Sequence, residues 1–176
     1  ALSVLAAWAY LQTADQLRSN VIRLRLAQGV FAVLLLLPLI HLVRLHPYQY
    51  VYYNAFIGGP SGAYGRYEGE YWFTSTKHAL EQLEQFLQEH PQLKPSGEVR
   101  LFILGPWQVA EPFLPPGYAL TADVKTADFL ILNTQMRVHE RFAGEPLFTI
   151  ERMGLPISEV RLVSGLGHAL KGIDSL

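Results

Sequence analysis

Glu68 and Glu70 lie two residues apart, with Arg66 before them and Tyr71-Trp72 directly after. In an extended segment, residues i and i+2 share a face. Two carboxylates on one face are what glycosyl chemistry demands, one as acid and one as base or nucleophile. In that arrangement Tyr71 or Trp72 stacks on the apolar face of a sugar while the acids orient its hydroxyls. The simpler reading of both acids is solvated loop residues or partners for Arg66. The six histidines, at positions 41, 46, 78, 90, 139 and 168, show neither His-x-x-x-His nor Glu-x-x-His spacing. With no cysteine in the chain, the residues support no metal site and no disulfide. The glycine-rich stretch from Gly58 to Gly65 lacks the Gly-Lys-Ser/Thr ending of a phosphate loop, and no Gly-x-Ser-x-Gly elbow occurs.

The element that must position these residues is an apolar run from Leu26 to Val43, whose centre, Gly29 to Ile40, carries no polar side chain. At about 1.5 Å per helical residue it covers close to the ~30 Å hydrocarbon core of a bilayer. Arg25 and Arg44 flank it, and Pro38 is better tolerated in a membrane span than in a soluble helix. The sequence therefore predicts a spanning helix over 26–45. About half of the chain's aromatic residues follow between His46 and Phe73. Rings with a polar tip favour the headgroup layer, so 46–73 reads as an aromatic interfacial segment. Pro47 suits the first turn of a short helix that Gly58-Gly59 would end.

Charge is distributed unevenly. The first 45 residues hold one acid, Asp15, against Arg18, Arg23, Arg25 and Arg44, while the rest has the balance of a soluble domain. Arg18, Arg23 and Arg25 place the polar loop 13–25 in the cytoplasm by the positive-inside rule, which puts the C-terminal part outside. The apolar piece 1–12 is too short to span. It reads as the end of a preceding, truncated transmembrane helix, so the chain is expected to be a piece of a longer protein. A net charge of −1 gives no reason to expect a nucleic-acid partner.

A family resemblance rests on His46-Pro47-Tyr48, Tyr53-Asn54, Gly58-Gly59, Gly62-Ala63, Tyr67-Glu68 and Tyr71-Trp72. Further along, Ala127-Asp128-Phe129 opens an apolar strand, and Gly144-Glu145-Pro146 and Gly154-Leu155-Pro156 mark a closing hairpin. This pattern, over about 26–163, resembles the segment after the last transmembrane helix of bacterial polyprenyl-phosphate-sugar-dependent glycosyltransferases related to protein O-mannosyltransferases. The family pattern has Asp, Tyr, Trp and Gly before a helix start, where this chain has Glu70, Tyr71, Trp72 and Phe73. The resemblance implies an integral membrane location, in a bacterial inner or plasma membrane. It also implies contact with lipid, a polyprenyl-phosphate sugar and a glycan or lipid acceptor. His46, Tyr48, Asn54, Arg66, Glu68, Glu70, Tyr71 and Trp72 are the candidate substrate-binding residues. No catalytic residue, metal ligand or cofactor is assigned, because the family's acidic first external loop is not in this sequence.

The remainder, 74–164, reads as a small α/β (α+β) domain. Ala79, Leu80, Leu83, Phe86 and Leu87 recur at helical spacing between a cap at Thr74 to Thr76 and a stop at Pro91. Strands are expected at 99–104 and 129–133, a proline-bounded loop or short helix with a packed Trp107 at 106–116, and a helix at 134–142. A hairpin over 147–152 and 158–163 turns at Met153-Gly154, and 165–176 reads as a tail. The alternative to a glycosyltransferase piece is a non-catalytic, membrane-anchored α/β binding module. A soluble domain with the apolar run as its core is a third reading.

Overall fold

The computed structural model describes residues 2–163, which form two compact units, the second beginning at Tyr50. The first unit is a helical hairpin of α1 (Leu2–Leu17) and α2 (Val21–Arg44). The rings of Tyr10 and Phe31 meet between the helices, with centroids 4.7 Å apart. The expected loop 13–25 is much shorter than its polarity suggested, and the turn is confined to residues 18–20. Gln12, Ala14 and Gln16 are good helix formers, so the loss of apolar character does not end the helix. Thr13 bonds back to the Ala9 carbonyl at 2.8 Å, and Asn20 starts the next helix by accepting the Arg23 N–H at 3.1 Å.

Helix α2 is long and apolar enough to cross a membrane, and the apolar stretch is unburied. It contains Pro38. At 16 residues, α1 falls short of the roughly 20 needed to span, so a second, truncated membrane helix is not shown.

The second unit is α/β. Its five strands are β1 (Val99–Leu104), β2 (Tyr118–Leu120), β3 (Phe129–Asn133), β4 (Glu145–Arg152) and β5 (Leu155–Leu162), in sheet order β2-β1-β3-β5-β4. The first three run parallel; β5 is antiparallel to β3 and to β4. Two short helical pieces matter for the site: α3 (Gly59–Ala63) and the amphipathic α4 (Ser75–Glu89). Helix α4 buries Ala79, Leu80, Leu83 and Leu87, packs toward β5, and sets Phe86 6.0 Å from Phe148. Alternation along β1 and β3 sends Leu101, Ile103, Phe129 and Ile131 to one face. Leu130 and Leu132 point the other way and pack with Ala127, Phe102, Leu104 and Phe142.

Two expectations need correcting. Trp107 does not pack, being 51% exposed at a 3-10 turn. The stretch 134–142 is not a regular helix: Met136 and Arg137 take left-handed φ values of 49° and 60° and interrupt a 3-10 segment. Within the glycine-rich stretch 58–65, Gly59–Ala63 form the single turn of α3, with Pro60 in its first turn. Strand β2, only three residues long, was not foreseen. The reading of 165–176 lies outside the described residues.

Candidate binding site

The eight candidate residues fall into both units. His46 and Tyr48 belong to the first, where the Gln49 amide donates to His46 Nδ1 at 2.8 Å and the Tyr48 side chain is buried. The other six belong to the second. Asn54 is committed locally, capping a 3-10 turn by accepting the Phe56 N–H at 3.0 Å. Arg66 is exposed and joins no ion pair among the described residues.

Glu68 and Glu70 do not form a carboxylate pair. The Glu68 side chain is exposed, and its backbone carbonyl accepts the Tyr53 hydroxyl. Glu70 is 1% exposed. Its Oε1 accepts the Tyr50 hydroxyl, the Thr74 backbone N–H at 2.7 Å and the Thr74 hydroxyl at 3.2 Å. Its Oε2 accepts the Asn133 amide at 3.2 Å and the Ser75 hydroxyl at 3.5 Å. Asn133, at the carboxyl end of β3, also donates to the Glu70 carbonyl at 2.7 Å. Among the described residues no cation pairs with this buried carboxylate. Its counter-charge is the positive end of α4, which starts at Ser75. Glu70 thus ties the aromatic segment to both the helix start and the strand end, and acts here as a positioning residue.

That tie leaves Tyr71 and Trp72 outside. They are 51% and 65% exposed and meet edge-to-face with centroids 5.1 Å apart. Phe73 then turns inward in the left-handed region, φ 55°, where the resembled family carries glycine. Its ring covers Gly105, where an added Cβ would come within 2.3 Å of the ring. Nearby, Tyr53 and Tyr67 pack at 5.6 Å; burial, followed by the charge of Glu68, raises the Tyr53 pKa above its ordinary value.

Gly105 directly follows β1, from which the chain leaves toward β2 on one side and then crosses to β3 on the other. Open α/β sheets place ligand crevices at the carboxyl ends of strands around such a reversal. Two cavities meet at Leu104 and Gly105. One, about 190 Å³, is lined by Phe73, Asn133, Gln135 and Val138. The other, about 650 Å³, is lined by Trp107, Glu111, Leu120 and Thr121 among others. Sequence reasoning missed this second cavity, and its only signal was a proline-bounded loop placed directly after a buried strand.

A polar cluster beside β5 was also missed. His139 is buried, with Nε2 3.3 Å from the Tyr64 hydroxyl and 3.6 Å from Glu159 Oε2. Arg161 Nε donates to Glu159 Oε1 at 2.6 Å. Burial lowers the His139 pKa below its usual value, opposed by Glu159 and Glu140. Burial, with Glu140 next, raises the Tyr64 pKa. Among the described residues no three His, Asp or Glu side chains converge on a common metal position. Compared with protein-family models, curated proteins and solved structures, the chain matches none.

Proposed function

We propose that this chain is the C-terminal part of an integral-membrane glycosyltransferase that moves a sugar from a polyprenyl-phosphate donor to an acceptor outside the cytoplasm. The observation that supports this reading best is the pinned aromatic segment. An unburied apolar helix is followed, within 30 residues, by an exposed Tyr71-Trp72 pair held by a carboxylate lock. Rigidly presented aromatic faces suit sugar rings, and preorganisation reduces the entropy lost when a ligand binds. In this reading α1 is the end of a preceding span, the 18–20 turn faces the cytoplasm and the α/β unit lies outside. The base that activates the acceptor comes from a part of the enzyme beyond these residues, as the resemblance implies.

The test is transfer by the full-length protein from a panel of polyprenyl-phosphate sugars. Trp72→Ala is expected to lower transfer about tenfold, roughly 1.4 kcal/mol of transition-state binding, with little change in the unfolding midpoint. Absence of transfer from every donor refutes the proposal; unchanged transfer in Trp72→Ala refutes the role of the pair. The commitment of both Glu70 oxygens to the fold favours a second reading, a membrane-anchored module that binds a glycan without turning it over. That module binds glycans through Trp72 and shows no transfer.

A further inference from the structure

We propose that the 650 Å³ cavity at the carboxyl ends of β1 and β2 binds an organic cation: an ammonium carried on a compact carbon skeleton. The proposal stands apart from the transfer reaction, because it rests on the charge and lining of this cavity alone. The volume is in the range of about 300–1,000 Å³ typical of small-ligand pockets. Its wall is mainly apolar, with Phe102, Leu114 and Leu120 offering a surface for carbon. Among the described residues, the one ionisable side chain in that wall is Glu111. It is exposed and makes no side-chain hydrogen bond or ion pair among the described residues. Trp107, four residues earlier, lines the same cavity and stays half exposed, although an indole gains by burial. Thr121, the other polar aliphatic side chain among the described lining residues, is engaged with Thr126 at 2.8 Å.

An indole and an unpaired carboxylate lining one apolar cavity are complementary to positive charge. A cation within about 6 Å of an indole centroid is attracted by its quadrupole, and indole is the strongest of the aromatic side chains in this respect. The carboxylate supplies the opposite charge that a desolvated ammonium needs. An anionic guest would be repelled by Glu111. The two 3-10 turns, Trp107–Val109 and Glu111–Phe113, fix both groups through backbone bonds from Ala110 to Trp107 and from Leu114 to Glu111.

The test uses the full chain in detergent carrying Trp8→Phe and Trp72→Phe, so that fluorescence reports Trp107 alone. The probes are 4-aminocyclohexanol and its neutral counterpart cyclohexane-1,4-diol. The amine is expected to give a saturable change with a Kd on the order of 1 mM, and the diol to bind about tenfold more weakly. Glu111→Gln, an exposed substitution, should bring the amine to the level of the diol. Read by calorimetry, Trp107→Phe should keep a preference for the amine that Trp107→Leu loses. Equal binding of amine and diol, no saturable change with the amine, or full affinity in Glu111→Gln would each overturn the proposal.

Discussion

Glu70 has five polar contacts to its carboxylate, and every donor is neutral. Glu70→Gln keeps the shape but turns one oxygen into an amide NH2 that faces N–H and O–H donors. The expected cost is about 1–3 kcal/mol, read as a lowered unfolding midpoint of the chain in detergent. Equal midpoints would show that the lock does not support the fold. His139 supplies a pH dependence. It faces Glu159 and Arg161 from β5, Tyr64 after α3, and Arg137 and Glu140 from its own segment. Burial lowers its folded pKa below 6.5, so the unfolded chain binds the proton more readily. Stability is therefore expected to fall as pH drops from 7 toward 5, starting near the unfolded pKa. His139→Gln should show a flatter profile, whatever its absolute midpoint; parallel profiles would exclude this source. Neither role was legible in the sequence. Glu70 finds Asn133 63 residues away, and His139 finds Tyr64 75 residues away, so spacing carries no trace of either contact.

Elements with a local cause were readable, and those set by distant partners were not. Helix α4 came from periodicity, β1 and β3 from short buried runs, and the closing hairpin from its glycine. The paired-acid reading of 68–70 failed because Glu68 stays exposed while Glu70 is buried and bonded at the start of α4. Strand β2 is too short to show a pattern and exists because β1 offers it an edge at Val99 to Leu101. The hairpin yields the prediction at this scale. Met153 and Gly154 have φ values of 52° and 76°, the two positive angles of a type I′ turn. Methionine at the first of these positions opposes the conformation, whereas asparagine favours it. Met153→Asn is therefore expected to stabilise the second unit by about 0.5–1 kcal/mol, measured by chemical denaturation of the chain in detergent. A destabilised variant would mean that the methionine side chain contributes more through packing than its backbone angle costs.

For the whole molecule, the proposed membrane location raises the question of orientation, because α2 is long and apolar enough to cross a membrane. Arg18, Arg23 and Arg25 lie at or just after the 18–20 turn, and Arg44 ends α2. Three positive charges against one favour retention of the turn on the cytoplasmic side during insertion. In the proposed membrane reading, the arginines act on insertion and not on the fold, so charge bias would set the orientation while the α/β unit folds by its own burial. The absence of cysteine makes the topology directly measurable, since any introduced thiol is unique. Ser19→Cys lies in the turn, and Gln108→Cys lies on the exposed 3-10 turn after β1. In intact cells, a membrane-impermeant maleimide is expected to label Gln108→Cys and to spare Ser19→Cys until the membrane is opened. The reverse pattern would mean that the span is present but inverted, placing the aromatic segment and the cavity in the cytoplasm. Labelling of both in closed cells would mean that α2 does not cross, and the exposed apolar surface of the first unit would then have to be covered by protein.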